Sequence, residues 1–315
     1  MFPVGRLQSL FFLMSTPNSD VLLDGDHFVN GILFPDPVLR EEEYKKVLDF
    51  PLQSDDTFVT SYPKSGTIWT VSQVKLIKEK VQELSGSISG ATVPLSKMHL
   101  ADSACWPEED GKELGMPGFW LLYGFCGSHM PYHMVPGGEP HKSPAKYIYV
   151  MRNPKDVSIS FHHYFYVVIK RKNEIKFDDY FEMFVNGNPL YGSWFDHVLQ
   201  WWEHRDASNI LIVRFEEMKK DLHKSIRTIS QFMGHNLDES TINAIAEECT
   251  FDRMKANPLL NLDTSRFGKK YNKDYTYMRK GVVGDWKNHL SPEQTAKFDA
   301  VYHKKIDGSG LDFGI

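Results

Sequence analysis

The stretch Thr57-Phe-Val-Thr-Ser-Tyr-Pro-Lys-Ser-Gly-Thr-Ile-Trp69 decides the architecture. Thr57–Tyr62 is nearly continuous in β-branched and aromatic residues, the pattern of a strand covered on both faces. Pro63 ends it, because proline cannot donate to a ladder. Gly66 permits a tight turn. Beyond it Ile68, Trp69, Val71, Val74, Ile77, Val81 and Leu84 recur mostly three or four residues apart, which predicts a helix over Ile68–Leu84. The first N–H groups of that helix then point outward beside Lys64, with hydroxyls on Ser65 and Thr67. Such a helix start suits an anion. An ordinary strand–helix turn with a surface lysine fits the same residues, and the GxxxxGK[ST] of a Walker loop is absent.

Two further β-rich runs, Tyr147–Met151 and Ile210–Val213, also precede helical patterns, Asp156–Val168 and Met218–Met233. Helical periodicity marks Trp194–His204 and Gln294–His303 as well. The second is introduced by Ser291-Pro292, an N-cap and first-turn pair. Strands alternating with helices imply right-handed βαβ units, hence an α/β fold with a central parallel sheet flanked by helices. Ser85–Gly90 and Pro136–Pro144 are loop-like but too short to separate domains. The expectation is one domain over 1–315, with 1–40 a peripheral N-terminal segment.

The chain has 315 residues, 41% apolar and 24% charged, an ordinary globular balance. Lys plus Arg number 36 against 41 Asp plus Glu, giving a net charge of −5, which argues against nucleic acid or anionic membrane as partner. Aromatics reach 13%, enough to furnish both a core and a stacking pocket. Cys105, Cys126 and Cys249 form neither a disulfide framework nor a metal motif, and no ligand cluster for a metal is evident. The start, MFPVGRLQSLFFLM, lacks the long apolar stretch and cleavage site of a signal peptide, and no run is long enough to span a bilayer. These features lead us to expect a cytoplasmic protein.

Two more segments could hold anions. Arg152-Asn-Pro-Lys-Asp-Val-Ser-Ile-Ser160 starts where the second strand ends, the edge at which open α/β sheets bind ligands. In isolation, Arg152 paired with Asp156 and Ser160 on a helix face fit as well. Arg279-Lys-Gly-Val-Val-Gly-Asp-Trp-Lys287 combines two cations with two glycines, a backbone able to approach a phosphate or simply a solvated turn.

Taken together, Y-P-K-S-G-T-x-W, R-N-P-K-D-V-x-x-S and R-K-G-x-x-G-D-W-K resemble, in order, the cofactor signatures of the cytosolic sulfotransferases, which use 3′-phosphoadenosine 5′-phosphosulfate. Similar text at Tyr191-Gly-Ser-Trp194 and Glu216-Glu-Met-Lys219 extends the resemblance over roughly 50–307. It implies a P-loop-like nucleotide-binding sandwich. It also implies that Lys64, Ser65, Gly66, Thr67, Ile68 and Trp69 form the 5′-phosphosulfate loop, with Ile68 replacing a common Thr. Arg152, Ser160, Arg279, Lys280 and Gly281 would hold the 3′-phosphate, Met278 would adjoin them, and Trp69, Phe215, Thr250 and Phe251 would surround adenine. Phe215 stands for a usual Tyr, and Cys249 for a usual Thr.

Sulfuryl transfer needs in-line placement, charge stabilisation and a base, for which neutral histidine is suited. The family's catalytic His precedes the strand that ends in the cofactor Arg. His129, 23 residues before Arg152, fits that location, whereas His99 copies the local letters of the motif but lies 53 residues before it. His133 reads as a loop or pocket-rim residue. The resemblance makes His129 the base and Lys64 the partner of the bridging oxygen. Gly127 replaces a lysine that usually stands two residues before the base.

Phe161–Tyr166 and Trp194-Phe195 fit either acceptor-pocket walls or core. The family's dimer signature would fall on Lys287–Ala296, where only Lys287 agrees. The expected function is sulfuryl transfer to a hydroxyl or amine of a small acceptor. The rivals are a cofactor-binding protein with weak or lost turnover, which Gly127 suggests, and a nucleotide-dependent phosphotransferase, which the missing Walker loop and Mg²⁺ carboxylate disfavour.

Overall fold

The computed structural model describes residues 26–34, 39–86, 119–122, 125–168, 175–187, 189–257, 260 and 278–315. His99, Cys105 and the first 25 residues lie outside them. A hairpin, β1 (His27–Val29) and β2 (Ile32–Phe34), is followed by α1 (Glu41–Leu48), β3 (Thr57–Ser61) and α2 (Thr67–Ser85). Next come β4 (Phe119–Leu122), β5 (Phe125–Ser128), β6 (Lys146–Met151), α3 (Pro154–Val168), α4 (Phe177–Asn186) and α5 (Trp194–Glu203). The chain continues through β7 (Ile210–Arg214), α6 (Phe215–Lys220), α7 (Leu222–Phe232), α8 (Glu239–Glu248) and α9 (Phe251–Ala256), and ends with α10 (Pro292–Ile306).

Among the described residues the main sheet runs β4-β5-β3-β6-β7; β5, β3, β6 and β7 are parallel and β4 is an antiparallel edge. Successive strand residues feed two different cores. Phe58, Tyr147, Tyr149 and Met151 join one, while Val59, Ile148, Val150 and Val213 join the other. That period-two division is what a sheet buried on both faces requires. The first core is completed by α3, α4, α5, α10 and the hairpin, the second by α2, α7 and α8.

The helices that follow neighbouring strands β3 and β6, α2 and α3, therefore pack on opposite faces. Their N-termini diverge and open a crevice at the carboxyl edge between those strands, the switch point where open α/β sheets bind ligands. Gly66, at φ 113°, turns the chain from β3 into α2, and Pro154 opens α3. Ser291 caps α10 in a reciprocal box with Gln294.

Two expectations change. The helix read over Met218–Met233 is two helices, because the Asp221 carboxylate accepts the Lys224 N–H at 2.9 Å and restarts the helix. Residues 26–34 and 39–40 are also less peripheral than expected. Val29, Phe34 and Leu39 are fully buried, and Tyr191 N–H donates to Leu33 O at 2.8 Å. No described helix is long and apolar enough to cross a membrane.

Candidate active site

The loop between β3 and α2 has the features of an anion cradle. Lys64 and Gly66 both take positive φ, 68° and 113°, which folds the backbone around the helix start. Ser65 is fully buried, yet its Oγ has no hydrogen-bond partner. Such a hydroxyl is costly unless something else is to be bound there. Thr67 Oγ1 is instead paired with Ser61 Oγ at 2.6 Å, which ties the helix start to the strand. A Cβ on Gly66 would lie 2.9 Å from Phe215 Cδ2, so glycine is needed for space as well as for φ. Ile68 is half-buried at the edge of the second core.

Arg152 brings the second segment to this loop. Its Nη1 donates to Lys64 O at 3.3 Å and its Nη2 to Val282 O at 3.0 Å, and its guanidinium lies 4.2 Å over the Phe215 ring. Burial pulls its pKa down, opposed by Asp156 and Glu216, and Nε has no partner. The expected pairing with Asp156 is present at 3.8 Å, but those carboxylate oxygens do more. They accept Gly284 N–H at 2.7 Å and Trp286 N–H at 3.0 Å, and so dock the third segment on α3. Lys155 reinforces this dock, lying 4.2 Å over the Trp286 ring and ion-paired to Asp299 of α10.

In that third segment Asp285 gathers the cations. It meets Arg279 Nη2 at 2.9 Å, Lys280 Nζ at 2.8 Å and His289 Nε2 at 3.1 Å. Burial opposes its ionisation, but hydrogen bonds from Lys280, Asn288 and His289 and the Arg279 charge outweigh that cost and hold the carboxyl well below its usual range. Gly281 has φ 63° and presses on the Phe251 ring. Met278 packs against the second core beside this loop, and Ser160 is half-buried on α3.

Aromatic residues close one side. Trp69 Nε1 donates to Cys249 O at 2.8 Å, and its ring meets Phe215 edge-on at 5.5 Å. Thr250 is exposed, with its hydroxyl donating to Glu247 O at 2.9 Å. Buried Cys249 has its thiol pushed up to about 12 by desolvation, so it is inert packing.

His129 follows β5 immediately and faces the end of β3. Its Nδ1 lies 3.0 Å from Ser61 O. A carbonyl only accepts, so Nδ1 carries the proton and Nε2 keeps its lone pair. Burial lowers the imidazole pKa to about 4, against the Ser61 hydrogen bond and with the help of the Lys64 charge. The ring is therefore neutral near pH 7. His133 bonds Gln200 Oε1 at 3.1 Å and does not share this environment. Lys64 Nζ stands 4.8 Å over the Tyr164 ring, which places one aromatic of Phe161–Tyr166 beside the loop, whereas Phe161, Trp194 and Phe195 are core. Gly127 sits on β5 opposite Val59.

The sequence reading missed Asp285 as the charge centre, Asp156 as the dock and His197 behind His129. The first two lie inside quoted motifs. His197 gave only the signal of a buried helix face shared with Trp194 and Trp201.

Residues 54–310 match the sulfotransferase domain family. Sulfotransferase 1C2 of Rattus norvegicus is 34% identical over 289 residues, 90% of this chain and 94% of that protein. The amine sulfotransferase of Oryctolagus cuniculus is 35% identical over 272 residues, 85% and 86% of the two chains. Among solved structures, mouse sulfotransferase SULT7A1 complexed with PAP aligns with TM-score 0.68 and 31% identity, covering 90% of this chain and 95% of that one. Retinol dehydratase, at 24% identity and TM-score 0.74, shares the fold. The ordered signatures, their meeting at one crevice and this likeness across most of the chain have one reading: the protein belongs to the sulfotransferase family and is a sulfotransferase enzyme.

Proposed function

We propose that the protein moves a sulfuryl group from 3′-phosphoadenosine 5′-phosphosulfate to a hydroxyl or amine of a small acceptor, with His129 as general base. The observation that carries this reading is the 3.0 Å contact of His129 Nδ1 with Ser61 O, which sets a neutral imidazole beside the strand end that runs into the Lys64 loop. The buried, unpartnered Ser65 Oγ and Arg152 Nε fit a doubly anionic nucleotide. When bound, the cofactor supplies the sulfuryl group, the sulfur–oxygen bond to its 5′-phosphate breaking as the acceptor's bond to sulfur forms.

The chain's own residues have separable tasks. His129 Nε2 takes the acceptor proton. Lys64 and the α2 N–H groups stabilise charge at the leaving 5′-phosphate. Arg152, Ser160 and the Arg279–Gly281 backbone and cations hold the 3′-phosphate, and Trp69, Phe215 and Phe251 offer ring faces to adenine. The named acceptor class of the rabbit relative, an amine sulfotransferase, supports including amines, and the androsterone and retinol bound by retinol dehydratase support a small apolar acceptor.

Gly127 favours one second reading, cofactor binding with little turnover, since the side chain usual at that place is missing. Transfer of radiolabelled sulfate to a panel of phenols, alcohols and amines separates the two. Turnover with at least one acceptor is expected, and its loss in His129→Ala. A His129→Ala variant as fast as wild type would remove the base assignment.

A further inference from the structure

His197, on α5, is fully buried behind His129 and has a hydrogen-bond partner at each ring nitrogen. Nε2 lies 3.2 Å from the main-chain oxygen of His129, and Nδ1 lies 2.8 Å from the Tyr149 hydroxyl. Because a carbonyl cannot donate, Nε2 must carry the proton, and Nδ1 then accepts from Tyr149. His129 Nδ1–H donates to Ser61 O.

Tyr149 of β6, His197 of α5 and His129 after β5 are thus linked in series behind the end of β3, which β5 and β6 flank. His197 thus holds the main chain of His129, while the Ser61 carbonyl fixes which nitrogen of the His129 ring carries the proton. The rings are fixed by packing as well: Tyr62 meets His197 edge-on at 5.5 Å, and Tyr191 meets His129 at 5.6 Å.

We propose that His197 is a positioning residue for sulfuryl transfer: held at its other edge by Tyr149, it fixes the His129 main chain so that the ring keeps its bond to Ser61 O and presents an unprotonated Nε2 to the acceptor. This rests on the reading of His129 as base. His197 itself touches neither acceptor nor cofactor and acts only through His129.

The test uses the full-length protein. His197→Phe keeps the ring volume and removes both bonds, His197→Gln keeps a donor for the His129 carbonyl, and Tyr149→Phe removes only the hydroxyl that holds the other edge of the His197 ring. A misplaced base costs on the order of 10–100-fold in rate, so His197→Phe should lose that much in kcat with the cofactor KM nearly unchanged. His197→Gln should recover most of the loss. In the His129→Ala background His197→Phe should cost nothing further. Once the main chain that holds the ring to Ser61 O is released, nitrogen NMR of the His129 imidazole should change from one Nδ1–H tautomer to a mixture, in His197→Phe and, less, in Tyr149→Phe. If His197→Phe does not fold, Tyr149→Phe carries the same test.

Unchanged kcat and an unchanged His129 spectrum in the variant that folds would overturn the proposal, as would an equal loss of kcat with and without His129. Wild-type turnover in His129→Ala alone would instead sink the base assignment, leaving the tautomer spectrum to judge the positioning.

Discussion

Gly281 lies so close to the ring of Phe251 that a Cβ added to it would stand 2.6 Å from Cδ2 and 2.7 Å from Cε2. No real Cβ contact is that short, and Phe251 opens α9, so the ring or the loop must yield. The φ of 63° adds the left-handed penalty of a non-glycine residue. The two halves of the proposed nucleotide site, ring and phosphate loop, are thereby set against each other by one missing methyl group.

Gly281→Ala should therefore weaken 3′-phosphoadenosine 5′-phosphate binding. Moving either the ring or the loop misplaces groups assigned to adenine and to the 3′-phosphate. A combined cost of about 2 kcal/mol corresponds to roughly 30-fold in Kd. Calorimetric titration measures it. Unaltered affinity would mean that neither element contacts the nucleotide.

Ser65 separates stability from function. Its buried hydroxyl has no partner, so the free protein carries the penalty of an unsatisfied group, on the order of 1–3 kcal/mol. Ser65→Ala should leave the melting temperature of the free protein unchanged or raised, while nucleotide affinity falls about tenfold. A variant that melts lower and binds as before would show that the hydroxyl is structural.

Much of this site could be read before folding because its chemistry is local. Lys64 to Trp69 carries cation, glycine and hydroxyl, Arg152 to Ser160 cation and hydroxyl, and Arg279 to Lys287 cation and glycine, each within ten residues. The strands at Thr57, Tyr147 and Ile210 were legible because burial on both faces makes continuous apolar runs. Phe125–Ser128, only four residues with Gly127 inside, offered no such run, and Asp221 interrupts a helical period that its neighbours continue. The contacts behind His129 were invisible for another reason. Tyr149 and His197 are 48 residues apart and His197 and His129 are 68 apart, so only the sheet order brings them together.

The lowered pKa of His129 fixes the pH profile. In the free enzyme this imidazole stays unprotonated down to about 4, so kcat/KM, which reports the free enzyme, should be flat between roughly pH 7.5 and 6. An exposed histidine, titrating near 6.5, would already fail there. The Lys64 charge is one cause of the depression, so Lys64→Met should move the acidic limb upward while lowering kcat by about 10²–10³. An acidic limb at the ordinary histidine pKa in wild type would contradict the burial of the base.

The same burial makes the fold acid-sensitive, with a sign that can be worked out. His129 and His197 have folded-state pKa values of about 4 and about 3, both below the 6.5 of an exposed ring. The unfolded chain therefore takes up their protons first. Their neutral burial costs nothing above about pH 7, and stability is lost as pH falls through 6.5 toward the folded values. At pH 5 each ring costs roughly 2 kcal/mol, a large share of the ~5–15 kcal/mol that holds a domain together. His162 and His163, also lowered to about 4 but less buried, add a smaller loss of the same sign. Asp285 acts in a different window. Its carboxyl is held below the usual range, so its contribution is complete above about pH 4 and disappears only below it. A fall in the urea midpoint between pH 7 and pH 5 thus belongs to the histidines. His197→Gln, which cannot take up a proton, should remove close to half of the fall due to the two most buried rings. If wild-type midpoints hold steady over that range, these imidazoles are not buried neutral in solution.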